Sequence, residues 1–267
     1  MTAISVLCSS PAALCGRNAR LMSASQPGDS RPRPRKGDVS RPRPDGDYSY
    51  KREFYRDSQV AQDYDAHRFG TPGRKRRDRR KWATILKALE MTSGIGTVLD
   101  IPCGTGRFTG HLLDRDYAVL GADISAEMMD VARGRFSGSG KLLGFIETDA
   151  EHMALKKHSV DCVMSIRFLH HVDSVTRVQI LREMSRISRR WVILDYRHRY
   201  SFRYTMWRVQ RLLRLTRAAF PRVSRAQLEG ELSEGGLTLV KIFPVARVFS
   251  DKWIVLCTTP GEHDTKE

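Results

Sequence analysis

Acidic residues and glycines follow short apolar runs between residues 97 and 172, in a spacing typical of nucleotide-binding sites. The first run ends at Asp100, and Gly104 and Gly106 come just before an apolar helical pattern. Glycine lets the backbone approach a ligand closely, and a helix N-terminus offers unpaired N–H groups to an anion. This stretch therefore predicts a strand, a tight turn and a helix that cradle a cofactor.

Two further apolar runs end in residues that can hold a nucleoside. The run 117–123 ends in Asp123, about 20 residues after the turn, where a carboxylate can accept both hydroxyls of a ribose. The run 142–146 leads to Asp149 and Ala150, and Asp149 can accept a hydrogen bond from the exocyclic amine of adenine. Because the carboxyl ends of parallel strands share one edge of a sheet, we expect these acids to meet there.

Together these residues resemble the class I S-adenosylmethionine-dependent methyltransferases, in particular the branch with the ubiquinone and menaquinone C-methyltransferases. The resemblance covers residues 97–172 most closely. It implies a Rossmann-like seven-stranded sheet with helices on both faces and a closing antiparallel hairpin. It also implies S-adenosyl-L-methionine as cofactor and a small or lipophilic methyl acceptor. The cofactor-binding residues that it implies are Asp100, Pro102, Gly104, Gly106, Asp123, Ile124, Met128, Asp149, Ala150, Arg167 and, from an entry helix, Tyr64.

Pro102 departs from the family pattern, because it occupies the position of the usual first glycine. Proline fixes φ near −65° and has no N–H, so a left-handed turn must fall on Gly104 or Gly106. A nicotinamide-binding Rossmann site is the alternative interpretation of this turn. It fits less well, because Thr109 stands where the G-x-G-x-x-G pattern needs its third glycine and Gly110 comes one place late.

His170 and His171 are the predicted catalytic residues, because they follow the fourth apolar run, 159–166, where the methyl group is expected. A histidine with a pKa of ~6.5 can take a proton from a phenolic or enolic acceptor. Neighbouring residues that leave a strand point in different directions, so we expect one ring to face the acceptor and the other to pack. The alternative is that both histidines are structural and that the enzyme supplies alignment alone.

The chain has 267 residues, of which 40% are apolar, enough for one α/β core with extensions. Its net charge is +16, which alone does not make it a nucleic-acid enzyme. Residues 1–47 are rich in Ser, Pro, Arg and Gly and are predicted to be a disordered basic tail. The other predicted parts are a helical extension (48–96), the methyltransferase domain (97–260) with a basic helical insert (197–222), and a C-terminal tail (261–267).

The predicted location is the cytoplasm, either free or attached peripherally to a membrane. The five cysteines show no C-x-x-C spacing, so neither a metal site nor a disulfide framework is expected. No apolar run reaches the ~18–20 residues that a spanning helix needs. A mitochondrial presequence in residues 1–28 and a nuclear signal at residues 74–81 are the alternatives, and a solvated helix face is favoured for the basic run 74–81.

The insert 197–222 contains eight arginines and no acid, and its apolar residues recur at helical spacing from Phe202 to Phe220. This pattern predicts a basic amphipathic helix. Three interpretations stay open: a helix packed on the core, a site for an acidic or lipid-linked acceptor, and contact with an anionic membrane surface or another polyanion.

Two functions compete with a small-molecule methyltransferase. One is an RNA methyltransferase that uses the basic N-terminal segment, and the other is a non-catalytic, methyltransferase-like binding or scaffold protein. The residues after the fourth strand are Arg167-Phe168-Leu169-His170-His171, not the Asn/Asp-Pro-Pro-aromatic motif of adenine and glutamine N-methylation.

Overall fold

The structure, a computed structural model, describes residues 71–213, 215, 222–246 and 250–260. The predicted tail 1–47, Tyr64 and the C-terminal tail 261–267 lie outside these residues. The described elements, in chain order, are α1 (Pro72–Leu89), β1 (Thr97–Asp100), α2 (Arg107–Leu113), β2 (Ala118–Asp123), α3 (Ala126–Phe136), β3 (Leu142–Glu147), β4 (Val160–Ser165), a 3-10 turn (Leu169–His171), α4 (Ser174–Ile187), β5 (Ser188–Arg197), α5 (Phe202–Leu212), α6 (Arg225–Glu234), β6 (Thr238–Pro244) and β7 (Lys252–Thr258).

The seven strands form one sheet in the order β3-β2-β1-β4-β5-β7-β6. Strands β1 to β5 are parallel, and β7 runs antiparallel to both β5 and β6. The predicted Rossmann-like sheet with a closing hairpin is therefore confirmed. The strand order reverses between β1 and β4, and at such a switch point a crevice opens at the carboxyl ends of the strands.

Apolar side chains fill both faces of the sheet. Ile85 of α1 and Phe108 of α2 pack with Val98, Met164 and Ile193 on one face. On the other face, the apolar sides of α4 and α6 pack against the alternate residues of β4, β5 and β7. Each fully buried Leu or Ile contributes about 1.5–3 kcal/mol to folding, and this double-sided core fixes the edge where the strands end.

A buried ion pair joins α4 to α6 behind the sheet. Arg177 donates to Glu231 through two nitrogens, Nε at 2.9 Å and Nη2 at 2.6 Å. The hydroxyl of Tyr196 on β5 donates to the same carboxylate at 3.1 Å. Both charged partners are thus fully hydrogen-bonded, which is the condition under which a buried pair is retained.

The interpretation of residues 74–81 as a solvated helix face is wrong for two positions on α1. Asp78 and Lys81 are buried. Asp78 accepts a hydrogen bond from Arg107 Nε at 2.8 Å, and Lys81 forms an ion pair with Asp195 of β5. These two side chains face the sheet because they share a side of α1 with Ile85.

The insert 197–222 is only partly the expected helix. Arg197 belongs to β5, and α5 covers Phe202–Leu212, with residues 214 and 216–221 outside the described part. Of the three interpretations left open for this helix, packing of its apolar stripe on the core is wrong. Phe202 is 57% exposed and Leu212 is 83% exposed, because α5 contacts the body through Tyr204 and Trp207 on another side, against Arg222.

Candidate functional site

The turn between β1 and α2 has the backbone that the sequence predicts. Gly104 has φ of 54° and Gly106 has φ of 77°, so the left-handed conformation falls on the two glycines after Pro102. The N–H of Cys103 donates to the carbonyl of Ala122 at 2.8 Å. This bond holds the turn against the end of β2, beside Asp123.

Two glycines of this region set the distance between α2 and α3. A Cβ on Gly106 would lie 2.9 Å from Cβ of Ala132, and a Cβ on Gly110 would lie 2.7 Å from the ring of Phe136. Gly110 therefore has a packing role that the nucleotide-binding pattern did not reveal. The close approach of the two helices keeps the turn over the strand ends.

Asp123 connects the end of β2 to the turn. Its Oδ2 accepts from the N–H of Gly104 at 2.7 Å, and its Oδ1 accepts from the N–H of Ser125 at 3.0 Å. Burial raises the pKa of Asp123, while these backbone donors oppose the rise. Each carboxylate oxygen has a second lone pair, so Asp123 can also accept the two hydroxyls of a ribose.

Asp100 lies below the same turn and is 1% exposed. The hydroxyl of Thr109 donates to its Oδ2 at 2.8 Å. The pKa of Asp100 is raised to about 7, mainly because the carboxyl is buried; the hydrogen bonds from Thr109 oppose the rise and the charge of Asp123 adds to it. Two carboxylates in this position favour a ligand that carries positive charge.

The predicted adenosine residues lie along the ends of β2 and β3. Ser125 caps α3 by accepting from the N–H of Met128 at 3.1 Å, and Cε of Met128 lies 3.6 Å from where a Cβ on Gly104 would be. Ile124 is the partly exposed residue between Asp123 and this cap.

Asp149 and Ala150 follow β3. The N–H of Thr148 donates to the carbonyl of Asp123 at 2.9 Å, which joins this loop to the end of β2. Asp149 accepts from the N–H of Glu151 at 3.1 Å, and Ala150 is buried. Asp123, Asp149 and Ala150 are thus brought together at one edge, as the sequence predicts.

The two histidines after β4 do not diverge as expected. Their ring centroids lie 4.0 Å apart, because the chain coils into the 3-10 turn Leu169–His171 instead of leaving the strand extended. The Nδ1 atom of His170 is buried and has no hydrogen-bond partner in the described part of the chain. Burial lowers the pKa of His170 well below 6.5, and the charges of His171, Arg197, Lys81 and Arg167 lower it further.

Residues 98–190 match a family model described as a methyltransferase domain. An uncharacterized methyltransferase of Mycobacterium tuberculosis is 34% identical over 104 residues, which cover 38% of this chain and 41% of that protein. A ubiquinone/menaquinone biosynthesis C-methyltransferase of Desulfotalea psychrophila is 27% identical over 170 residues, or 58% of this chain and 67% of that protein. A tRNA (carboxymethyluridine(34)-5-O)-methyltransferase of Mus musculus is 28% identical over 109 residues, or 40% of this chain and 15% of that protein.

The fold also has solved counterparts. The magnesium protoporphyrin IX methyltransferase of Synechocystis, crystallised with bound SAH, has a TM-score of 0.61 at 16% identity, covering 79% of this chain and 99% of that chain. This chain carries a class I methyltransferase domain. The predicted family is thus confirmed, while the match to the mycobacterial relative spans only 41% of that protein's length.

We name Asp100, Gly104, Gly106 and Asp123 the methyltransferase cradle. This cradle fits S-adenosylmethionine. S-adenosylmethionine carries a sulfonium and an ammonium group, and the buried carboxylates of Asp100 and Asp123 lie below the turn. A neighbouring cation favours the ionised form of a carboxylate. Gly104 has no Cβ, so the ligand can approach the backbone at the end of β1.

Arg167 follows β4, on the side of the switch point that leads to β5. Its charge lowers the pKa of Lys81, Arg197 and Lys252, which places it near the ends of β5 and β7. Its φ of 68° is in the left-handed region, which Asp116 and His158 also adopt; non-glycine residues adopt it rarely, and such positions are enriched at functional sites. The cofactor role that the resemblance implies for Arg167 stays a prediction.

Sequence reasoning missed four charged residues at the end of β5 and its neighbours: Lys81, Asp195, Arg197 and Lys252. One signal was available, because Asp195 and Arg197 are two residues apart and therefore share one face of a strand.

Among the described residues, no group of three or more His, Cys, Asp or Glu side chains could hold a metal ion. The described helices include none with the length and apolar character to cross a membrane.

Proposed function

We propose that this chain transfers a methyl group from S-adenosylmethionine to a small or lipophilic acceptor. One observation carries the proposal, the buried carboxylates of Asp100 and Asp123 around the Gly104 turn. These acids suit a sulfonium ligand. Asp123 could hold the ribose of a nicotinamide cofactor equally well, but an ionised Asp100 beside the turn would repel its pyrophosphate, which makes the Rossmann dehydrogenase alternative the weaker one.

S-adenosylmethionine supplies an already activated methyl group, so the side chains of this chain need mainly to align the partners and exclude water. Asp123 would hold the ribose, and Asp149 with Ala150 would hold the adenine. His170 is neutral at pH 7 because burial and nearby cations lower its pKa. A neutral imidazole can accept a proton, but one with a low pKa does so only from an acidic acceptor such as an enol or an activated phenol.

The choice of a small or lipophilic acceptor is supported by the apolar side of α5. Phe202, Met206, Val209 and Leu212 are all exposed on this helix, which begins shortly after the end of β5. An exposed apolar surface of this kind typically contacts a ligand, a partner or a membrane. The relative from Desulfotalea psychrophila is named for ubiquinone and menaquinone biosynthesis, and such acceptors are lipophilic.

RNA methylation is the second candidate function. The relative from Mus musculus is named as a tRNA methyltransferase, and the net charge of +16 suits a polyanion. Binding to RNA through such charge would be measurable near physiological salt and would fall steeply as salt rises.

The cofactor part of the proposal is tested by calorimetry on the full chain. We expect S-adenosylmethionine and S-adenosylhomocysteine to bind, and Asp123→Ala to weaken binding by ~1–3 kcal/mol through loss of charge-assisted hydrogen bonds. Asp130→Ala is the matched control, because Asp130 on α3 has a side chain that is 68% exposed. Binding of NADH without binding of either methionine cofactor would refute the proposal.

The acceptor part is tested by labelled methyl transfer into a cell extract separated into lipid, small-molecule, RNA and protein fractions. Label in the lipid or small-molecule fraction is the expected result. Label confined to RNA would favour the second candidate. Cofactor binding with no label in any fraction would favour a non-catalytic binding protein.

A further inference from the structure

The carboxyl end of β5 and the adjoining amino end of β7 carry a concentration of positive charge beside the methyltransferase cradle. Lys81 of α1 and Asp195 of β5 form a buried ion pair, with 3% and 2% of their surfaces exposed. Ile193 and Ile254 pack on the α1 face of the sheet. Since side chains alternate along a strand, Asp195, Arg197 and Lys252 point to the same face.

Arg197 and Lys252 lie directly opposite each other on antiparallel strands. Two like charges in this arrangement destabilise a sheet. Burial lowers the pKa of Lys252, the Asp195 carboxylate opposes this effect, and the charges of Arg197 and Arg167 lower the pKa further. The pair therefore repels within a partly buried site where water screens charge poorly.

We name Lys81, Arg167, Arg197 and Lys252 the cationic cluster. Burial lowers the pKa of Lys81 and of Arg197, and other members of the cluster lower both further, while Asp195 opposes these effects. Asp251 also faces the cluster, with its Oδ2 4.0 Å from Arg197 and 3.0 Å from Arg222. Five cations thus act on one another here, with two carboxylates among the described residues.

Arg167 adds evidence of a different kind. It follows β4 with a left-handed backbone, a conformation that costs a non-glycine residue free energy. Such strain persists only where the surrounding structure holds the residue in place, and strained residues cluster at functional sites. Here it delivers a guanidinium to the cluster at the end of the strand that lies between the cradle and β5.

We propose that the methyl acceptor carries an oxyanion, a carboxylate or a phosphate, and that the cationic cluster binds it. The inference rests on the proposed function and defines its acceptor class. Guanidinium and ammonium groups donate charge-assisted hydrogen bonds to both kinds of oxyanion. The strand order sets the cluster next to the switch point between β1 and β4, beside the methyltransferase cradle.

A small anionic acceptor fits this cluster better than a polymer does. The side chain of Arg197 is only 26% exposed and Lys252 is half-buried, whereas a nucleic-acid backbone is usually followed by arginines and lysines on an open surface. The apolar side chains exposed on α5 would suit the remainder of an acceptor that has an acidic group at one end.

The test compares Lys252→Gln with Lys241→Gln in the full chain. Lys241 is an exposed lysine on the neighbouring strand β6, so its loss removes the same charge without touching the cluster. Inorganic phosphate and benzoate are the two probes, titrated at constant ionic strength while the thermal unfolding midpoint is followed. S-adenosylhomocysteine affinity is measured by calorimetry on the same samples.

We expect at least one probe to raise the unfolding midpoint of the wild type saturably. Lys252→Gln should weaken the binding of that probe about tenfold or more, while Lys241→Gln should bind the probe as the wild type does. Both variants should keep the wild-type affinity for S-adenosylhomocysteine. Binding of phosphate or of benzoate shows whether the cluster prefers a phosphate or a carboxylate. If neither probe binds, or if both variants lose binding equally, the anionic acceptor is refuted while cofactor binding still supports the proposed function.

Two other outcomes also decide the matter. A short RNA that displaces the probe, and whose binding is lost in Lys252→Gln, would overturn the small acceptor. A wild type that binds no S-adenosylhomocysteine would refute the proposed function itself, and the acceptor assignment that rests on it.

Discussion

The carboxyl edge of the sheet has two halves with opposite charge. Asp100, Asp123 and Asp149 lie at the ends of β1, β2 and β3, whereas the cationic cluster lies at the ends of β4, β5 and β7 and on α1. Burial disfavours the charge of each half, since it raises the pKa of Asp100 and lowers that of Lys252. Each half is therefore costly by itself and suited to a ligand of the opposite sign, a cationic cofactor on one side and an anionic acceptor on the other.

The buried ion pair between Arg177 and Glu231 offers a contrast, because one cation meets one carboxylate in this completed pair. Every charged group there has a hydrogen-bond partner from α4, α6 or β5. Its charges serve stability, whereas the excess of cations over carboxylates in the basic half would serve binding.

Removing Arg177 should have the largest effect on stability. Arg177→Met leaves Glu231 buried without its cation, which costs about 3–5 kcal/mol. Denaturant unfolding should show this loss, while calorimetry finds an unchanged affinity for the cofactor in the protein that remains folded. A loss of affinity with little loss of stability would erase the distinction between the completed pair and the ligand-binding halves.

The pKa of Asp100 predicts a pH effect of somewhat smaller size. The folded chain keeps the Asp100 proton up to about pH 7, whereas an unfolded aspartate loses it near 3.8. The folded state thus binds more protons between these values, so the free energy of unfolding should fall as pH rises from about 4 to about 7, by at most about 4 kcal/mol.

Chemical denaturation at several pH values checks this, with Asp100→Asn as the comparison. The variant cannot ionise at this position, so its unfolding free energy should be flatter over the same range. If the free energy of unfolding depends on pH in the same way for both proteins, the pKa of Asp100 is not raised in the folded chain and its charge is not disfavoured by burial.

The smallest effect concerns the basic half. The charge of Arg197 helps to lower the pKa of His170, so Arg197→Gln should raise that pKa. An NMR titration of the imidazole measures it, and Arg190→Gln at the other end of β5 is the matched control. If the pKa does not change, Arg197 and His170 do not share a site.

The sequence predicted the acidic half well because its parts are close in the chain. Asp100, Gly104 and Gly106 belong to one strand and turn, and Asp123 ends the next strand. The basic half could not be predicted in this way. Lys81 and Asp195 are separated by 114 positions, and only the packing of α1 on the sheet brings them together.

The spacing of apolar residues predicted the helix α5 but not which of its sides meets the core. The apolar spacing correctly indicated a helix that includes Met206 and Val209, but a period describes the helix alone and does not say which side meets the core. The rings of Tyr204 and Trp207 decide that, because they contact the paired Arg222 and leave the aliphatic side exposed. The expected divergence of the two histidine rings after β4 was wrong, because two residues of sequence do not reveal the 3-10 turn there; their catalytic role stays a prediction.

The ion pair between Lys81 and Asp195 also sets how short a fragment of this protein can be made. The family match begins at residue 98, and a fragment that starts there would lose only Thr97 from the strands that the structure describes. It would lose α1, leave Asp195 buried without its lysine, and expose the sheet face on which Ile85, Ala88 and Leu89 pack. The unit that must be produced in one piece therefore includes α1, and expression boundaries belong upstream of Pro72.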